Sequence, residues 1–183
     1  MAYLLRFLLF ISFSSFVLVA LSAHGFIDLK FSHIEMAIPA VMFLIFSQAF
    51  IMFYFIGVAR MVENIHGVLN SERGNKLSEL FDDPPENLEP YLKKVNRFIY
   101  QSKLSKRQTI PWTALILLLG IIGFLLGGAH HTAVVEKTTH SGVVYGFIVA
   151  YIIGFARQWY YLGKTHQLLR QIKALFMIPD NTM

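Results

Sequence analysis

The sequence contains no cysteine. Disulfide bonds, thiolate-bound metals, iron–sulfur clusters and cysteine nucleophiles are therefore excluded. Any metal would have to be held by histidine, carboxylate or methionine. Charged residues are also scarce, at 15% of the 183 residues, whereas about a quarter of a typical soluble domain is charged. With 55% of its residues hydrophobic, the chain has more apolar surface than a soluble domain of this length needs, which indicates a lipid environment.

Four apolar runs are long enough to cross a bilayer as helices, which takes about 20 residues each. They cover residues 4–23, 34–58, 110–129 and 142–162, and none alternates as a barrel strand would. The first run resembles a signal peptide, because Arg6 is followed by an apolar stretch and by small residues from Ala20. We expect it to be retained as the first span. The sequence thus predicts a single all-α membrane domain, residues 1–183, built as an antiparallel bundle of four transmembrane helices.

Lysine and arginine are unevenly distributed among the connectors. The connector between spans 2 and 3, residues 59–109, holds nine of them, and the tail, residues 163–183, holds three. The two other connectors hold only Lys30 and Lys137. The positive-inside rule then predicts cytoplasmic termini and a cytoplasmic long connector, in a bacterial inner membrane. Seven acidic residues are interleaved in that connector, so no nucleic-acid partner is expected. The predicted partners are the lipid bilayer and other membrane subunits, or a second copy bound through small-residue helix faces.

The long connector is predicted to contain an amphipathic helix of its own. Asn87 can cap this helix at its start. Apolar residues then follow at helical spacing, namely Leu88, Leu92, Val95 and Ile99. Pro111 suits the first position of span 3, with Thr109 as its cap. These signals predict two separate helices, of which the first lies on the membrane surface, packs under the bundle or docks a partner.

Histidines are concentrated at the predicted outer ends of the spans. Five of the seven lie there: His24, His33, His130, His131 and His140. Asp28 and Glu35 fall in the same layer, where the ends of neighbouring helices meet. Since neutral imidazole is the commonest metal ligand, we predict a metal or heme site formed from these residues. The alternative is that the imidazoles simply suit an interface and that Ser32 and Glu35 form a capping box.

His33 and His131 are the preferred ligands because each continues a stripe of mostly small residues. The stripes are Ala37, Ala40, Leu44 and Ser47 on one helix and Gly127, Gly123 and Gly120 on the other. Such stripes would admit the edge of a heme b, with His24, His140 and His130 as reserve ligands. Copper, iron or zinc are the other candidate cofactors. Close packing of helices explains the stripes equally well.

These patterns predict an integral membrane redox protein that transfers electrons. The first alternative is a non-catalytic subunit or assembly factor of a larger membrane complex. The second is a sensor of metal or pH, whose outer histidines become protonated at about pH 6. Ion translocation is not favoured, because no Asp, Glu or Lys lies near the middle of a span. No nucleotide-binding loop, nucleophile elbow or zinc-protease motif is present, so the sequence assigns no catalytic residue.

Overall fold

The computed structural model describes residues 2–27, 30–70, 80, 81, 85, 87–132 and 134–176. These residues form the helices α1 (Ala2–Ala23), α2 (His33–Leu69), α3 (Glu89–His131) and α4 (Lys137–Leu175). All four are long and apolar enough to cross a membrane. The predicted all-α class is therefore confirmed, and so is the presence of four helices that are capable of spanning a membrane.

Three of the helices are much longer than a bilayer requires. α2, α3 and α4 contain 37, 43 and 39 residues. At about 1.5 Å per residue they are roughly 55–65 Å long, compared with a hydrocarbon core of about 30 Å. α1, with 22 residues, is just long enough to span. Residues 59–69, 89–109 and 163–175 therefore continue α2, α3 and α4 beyond the apolar spans, and we call these segments the extension.

The bundle has two hydrophobic cores, one in the spans and one centred on the extension. The first draws on all four helices and consists of Leu5, Leu9, Leu44, Ile51, Phe55, Ile116, Phe147, Tyr151 and Leu162. The second uses only α2, α3, α4 and the residue after α4, and consists of Val58, Val62, Leu69, Val95, Phe98, Leu168, Ile172 and Phe176. Because the extension has its own core, it is a packed three-helix unit rather than a set of loose helix ends.

α3 continues without interruption through Pro111, where the sequence predicted a helix start. The amphipathic helix predicted in the connector is therefore the first part of α3, and the prediction of two separate helices is wrong. Thr109, predicted as a cap, is fully buried and donates its hydroxyl hydrogen to the Ser105 carbonyl at 2.7 Å. An internal proline costs about 3 kcal/mol. However, the buried residues of α3 continue at spacings of three and four from Val95 to Gly123, so packing of this face stabilises one long helix.

Two further local predictions have clear outcomes. α4 continues to Leu175, so most of the predicted tail is helical. The capping box at the start of α2 is confirmed: the Ser32 N–H donates to Glu35 Oε2 at 2.7 Å, and the Glu35 N–H donates to Ser32 Oγ at 3.3 Å. Asp28 lies outside the described residues.

Candidate functional site

The five predicted histidines lie at helix ends. In chain order, His24 follows α1, His33 begins α2, His130 and His131 end α3, and His140 lies in the first turn of α4. The ring of His24 lies 3.4 Å from the hydroxyl of Tyr145 on α4, measured from Nε2. The rings of His130 and His140 also meet. These contacts bring the histidine-bearing ends of α1, α3 and α4 together, and we call this region the histidine end.

His130 and His140 form a stacked pair. Their ring centroids are 6.0 Å apart and the rings are inclined by 13°. His130 Nδ1 lies 3.1 Å from the Val135 carbonyl oxygen, so Nδ1 carries the proton in the neutral ring and Nε2 keeps its lone pair. His140 packs against the backbone of Gly127, where a Cβ would lie 3.1 Å from its Cε1. Its Nδ1 is buried and has no hydrogen-bond partner among the described residues.

The environment of His140 favours the neutral imidazole. This residue precedes the apolar span that begins at Gly142. Burial lowers the pKa of His140, and the neighbouring His130 and His33 lower it further. His33 therefore lies within electrostatic range of His140. The neutral ring is the form that binds a metal ion.

The remaining predicted ligands are either engaged elsewhere or exposed. His24 Nδ1 lies 3.0 Å from the Ala20 carbonyl oxygen, so both of its ring nitrogens have partners. Glu35 is occupied by its capping box. His33 and His131 are exposed. In the part of the chain that the structure describes, no three histidines or carboxylates lie close enough together to hold one metal ion.

The glycine stripe of α3 is filled by close helix packing. A Cβ at Gly120 would collide with Leu44 of α2 and would lie 3.1 Å from a ring carbon of Phe147 on α4. A Cβ at Gly123 would lie 3.9 Å from Val143 Cγ1, and Gly127 faces His140. The small residues thus let neighbouring helices approach closely, as the packing interpretation of the stripe predicts.

The glycine stripe of α4 is only partly used. Gly154 is buried, and a Cβ there would collide with Ile116 of α3. Gly142 and Gly146 are exposed, and no atom of the described residues lies within 4 Å of the position that a Cβ would take at either glycine. This end of α4 therefore presents a smooth surface against which another helix can pack.

Buried polar side chains connect the spans in their interior. Gln158 Nε2 of α4 donates to Gln48 Oε1 of α2 at 2.6 Å and to Thr113 Oγ1 of α3 at 2.8 Å. Nearby in the same interior, the Tyr151 hydroxyl donates to Ser12 Oγ of α1 at 2.7 Å. All five side chains are buried. Each of the four helices is thus tied to another by a buried hydrogen bond, which fixes how the helices face one another.

Sequence reasoning missed Gln158 and its partner Thr113. A signal was present: Gln158 lies four residues after Gly154 and four before Leu162, on the buried face of α4. A glutamine on the packed face of a spanning helix needs a partner on a neighbouring helix.

A groove of about 680 Å³ opens on the extension, between the first part of α3 and the end of α4. It is lined by Pro90, Tyr91, Lys94, Arg97, Phe98, Gln101, Gln171, Ala174 and Leu175. Lys94 and Arg97 are exposed, and none of the lining residues that the structure describes is acidic. Tyr91, Phe98 and Leu175 contribute apolar surface. The groove is therefore an amphipathic, positively charged surface.

No protein-family model, curated protein or solved structure matches this chain.

Proposed function

We propose that the protein is a non-catalytic subunit or assembly factor of a membrane complex, and that its extension docks an acidic segment of a partner protein. In this proposal the spans form an antiparallel bundle in the bacterial inner membrane. Both termini and the extension lie in the cytoplasm, and the histidine end faces outward. The observation that carries the proposal is the positively charged groove on a separately packed extension.

The charge distribution supports this orientation. The described residues of the extension carry ten lysines and arginines and two glutamates, Glu63 and Glu89. One of these glutamates is already paired, because Glu63 Oε1 lies 3.3 Å from Lys103 Nζ. The positive-inside rule places such a segment in the cytoplasm. Contacts between opposite ends of the chain, such as Tyr3 of α1 against His166 of α4, are those expected of antiparallel neighbours.

The position of the groove favours a protein partner over lipid. Gln101 precedes the start of the third span, Ile110, by nine residues, and Pro90 precedes it by twenty. In a straight helix these residues lie about 14 and 30 Å beyond the apolar span. A partner that fills the groove must therefore reach it from the aqueous side. An amphipathic segment with acidic residues would pair with Lys94 and Arg97 and bury its apolar side against the half-buried Tyr91 and Leu175.

The test compares two charge reversals of equal size on α3. The groove variant is Lys94→Glu/Arg97→Glu, and the control is Lys106→Glu/Arg107→Glu, which changes two exposed cations outside the groove lining. Complexes extracted from native membranes in mild detergent are sized by native electrophoresis. We expect the groove variant to run as the smaller, partner-free species, while the control runs like wild type. Wild-type behaviour of both variants would contradict docking in this groove.

A second candidate function is electron transfer at the histidine end, in which His130 and His140, with His33 close by, hold copper, iron, zinc or heme b. The specific observation in its favour is the buried Nδ1 of His140, a neutral ligand atom that has no partner among the described residues. His24, His131, Glu35 and Asp28 would complete or orient the site. Glu35 and His24 would first have to leave their present partners.

Absorption spectra of the purified protein before and after reduction, with metal analysis of the same sample, test this second function. The expected result is a heme spectrum or a stoichiometric metal that disappears in His140→Ala and persists in His66→Ala, a variant of the extension. Heme or metal that is absent, or that persists in His140→Ala, would refute it.

A further inference from the structure

We propose that the seam between α1 and α4, around Arg6, binds the phosphate of an anionic phospholipid. The Arg6 guanidinium carbon lies 5.0 Å from the ring centroid of Trp159, and Nη2 donates to the Trp159 carbonyl oxygen at 3.2 Å. Gly163 makes this position accessible, because a Cβ there would collide with the Arg6 guanidinium. His166 lies three residues after Gly163, and Arg170 lies four residues after His166, so these residues share one face of α4. The cations of the two helices thus gather along one seam.

Neither helix supplies a negative charge to this seam. Residues 2–27 contain no Asp or Glu, and residues 141–176 contain none either. The described ion pair of the extension is Lys103–Glu63, on α3 and α2. Arg6 Nε is buried and has no hydrogen-bond partner among the described residues. Burial lowers the pKa of His166, and nearby positive charges, Arg170 and Arg6 among them, lower it further. An anion with several oxygen acceptors would neutralise the crowded positive charge and accept a hydrogen bond from Arg6 Nε.

The surroundings of the seam favour a lipid over free phosphate. Tyr3, Phe7 and Phe10 are 71%, 60% and 55% exposed, and their spacings of four and three place them on one side of α1. Their rings offer an apolar surface for acyl chains next to Arg6. Trp159 and Tyr160 on α4 are also exposed, as is usual at the level of lipid headgroups. Apolar surface on the membrane side and cations on the other side match the two ends of a phospholipid.

The test measures lipid binding to the full-length, delipidated protein by native mass spectrometry in detergent, with phosphatidylglycerol and phosphatidylcholine as the probes. The variants are Arg6→Gln and Arg170→Gln, and the control is Arg60→Gln, an exposed cation on α2. We expect wild type to prefer phosphatidylglycerol. Each seam variant should weaken that binding about fivefold, as is typical for one cation near an anionic lipid surface. Binding of phosphatidylcholine should change little.

Three results would overturn the proposal. The first is equal binding of the two lipids by wild type. The second is an equal loss in Arg60→Gln and in the seam variants, which would indicate a general effect of charge. The third is displacement of the lipid by millimolar inorganic phosphate, which would indicate a site for free phosphate. Because Arg170 is exposed at the end of the seam, Arg170→Gln keeps the proposal testable even if Arg6→Gln fails to insert.

Discussion

Replacing Gln158 by leucine should destabilise the bundle strongly, although the two side chains are similar in size. The substitution removes hydrogen bonds to Gln48 and Thr113 at 2.6 and 2.8 Å. Interhelical hydrogen bonds in membranes contribute about 0.6 kcal/mol each on average, which gives about 1.2 kcal/mol for the two. The buried amide of Gln48 then loses its close partner, which costs about 1–3 kcal/mol more. We therefore expect the free energy of unfolding to fall by roughly 2–4 kcal/mol.

The double variant Gln48→Leu/Gln158→Leu tests whether an unpaired buried amide causes this destabilisation. When both amides are replaced by apolar side chains, no buried amide is left unpaired, so the double variant should lose less stability than Gln158→Leu alone. Reversible unfolding of the purified protein in mixed detergent micelles, followed by circular dichroism, measures the difference. Gln167→Leu, an exposed glutamine of α4, is the control and should change stability by less than about 0.5 kcal/mol. Additive losses in the double variant would refute the account of a coupled network.

Two other predictions test the packing and the histidine end. Gly120→Ala should destabilise the bundle by about 1–3 kcal/mol, because its Cβ would collide with a buried leucine. Gly128→Ala, which has open space around it, should have little effect in the same unfolding assay. Because burial lowers the pKa of His140 below 6.5, the unfolded chain binds more protons below about pH 6.5, and stability should fall as the pH drops through that window. Thermal melts of His140→Asn between pH 7.5 and 5 should have a flatter pH dependence than wild type. An unchanged pH profile would contradict the burial of His140.

The spans could be predicted from sequence because the bilayer is a uniform apolar solvent that selects long apolar runs. The first turn of α2 was predictable because its signal is local. Ser32 and Glu35 satisfy each other locally, three residues apart, and need no other part of the fold.

The path of α3 through Pro111 was not predictable, because local and long-range effects oppose each other there. Proline and a preceding threonine are good signals for a helix start. The continuous buried face from Val95 to Gly123 becomes visible only when α2 and α4 are packed against it. Packing then outweighs the local preference.

For the histidines, too, the sequence predicts only part of the arrangement. Their placement at helix ends follows from sequence, but which rings meet depends on how each helix is rotated about its axis. That rotation brings His130 against His140 and leaves His131 exposed. The sequence spacing alone does not select that pair, because His130 and His131 are adjacent and point about 100° apart around α3.

Photo-crosslinking in intact cells shows whether the extension groove holds a partner. A photoreactive residue is placed at Gln101, which lines the groove, or at Tyr100, its neighbour in sequence, which is 69% exposed outside the groove lining. If the groove holds a partner, Gln101 should crosslink to one protein through an acidic segment of that partner, and the crosslink should be lost when Lys94→Glu/Arg97→Glu is added. A crosslink of equal strength from Tyr100, or none from Gln101, would contradict partner binding in the groove.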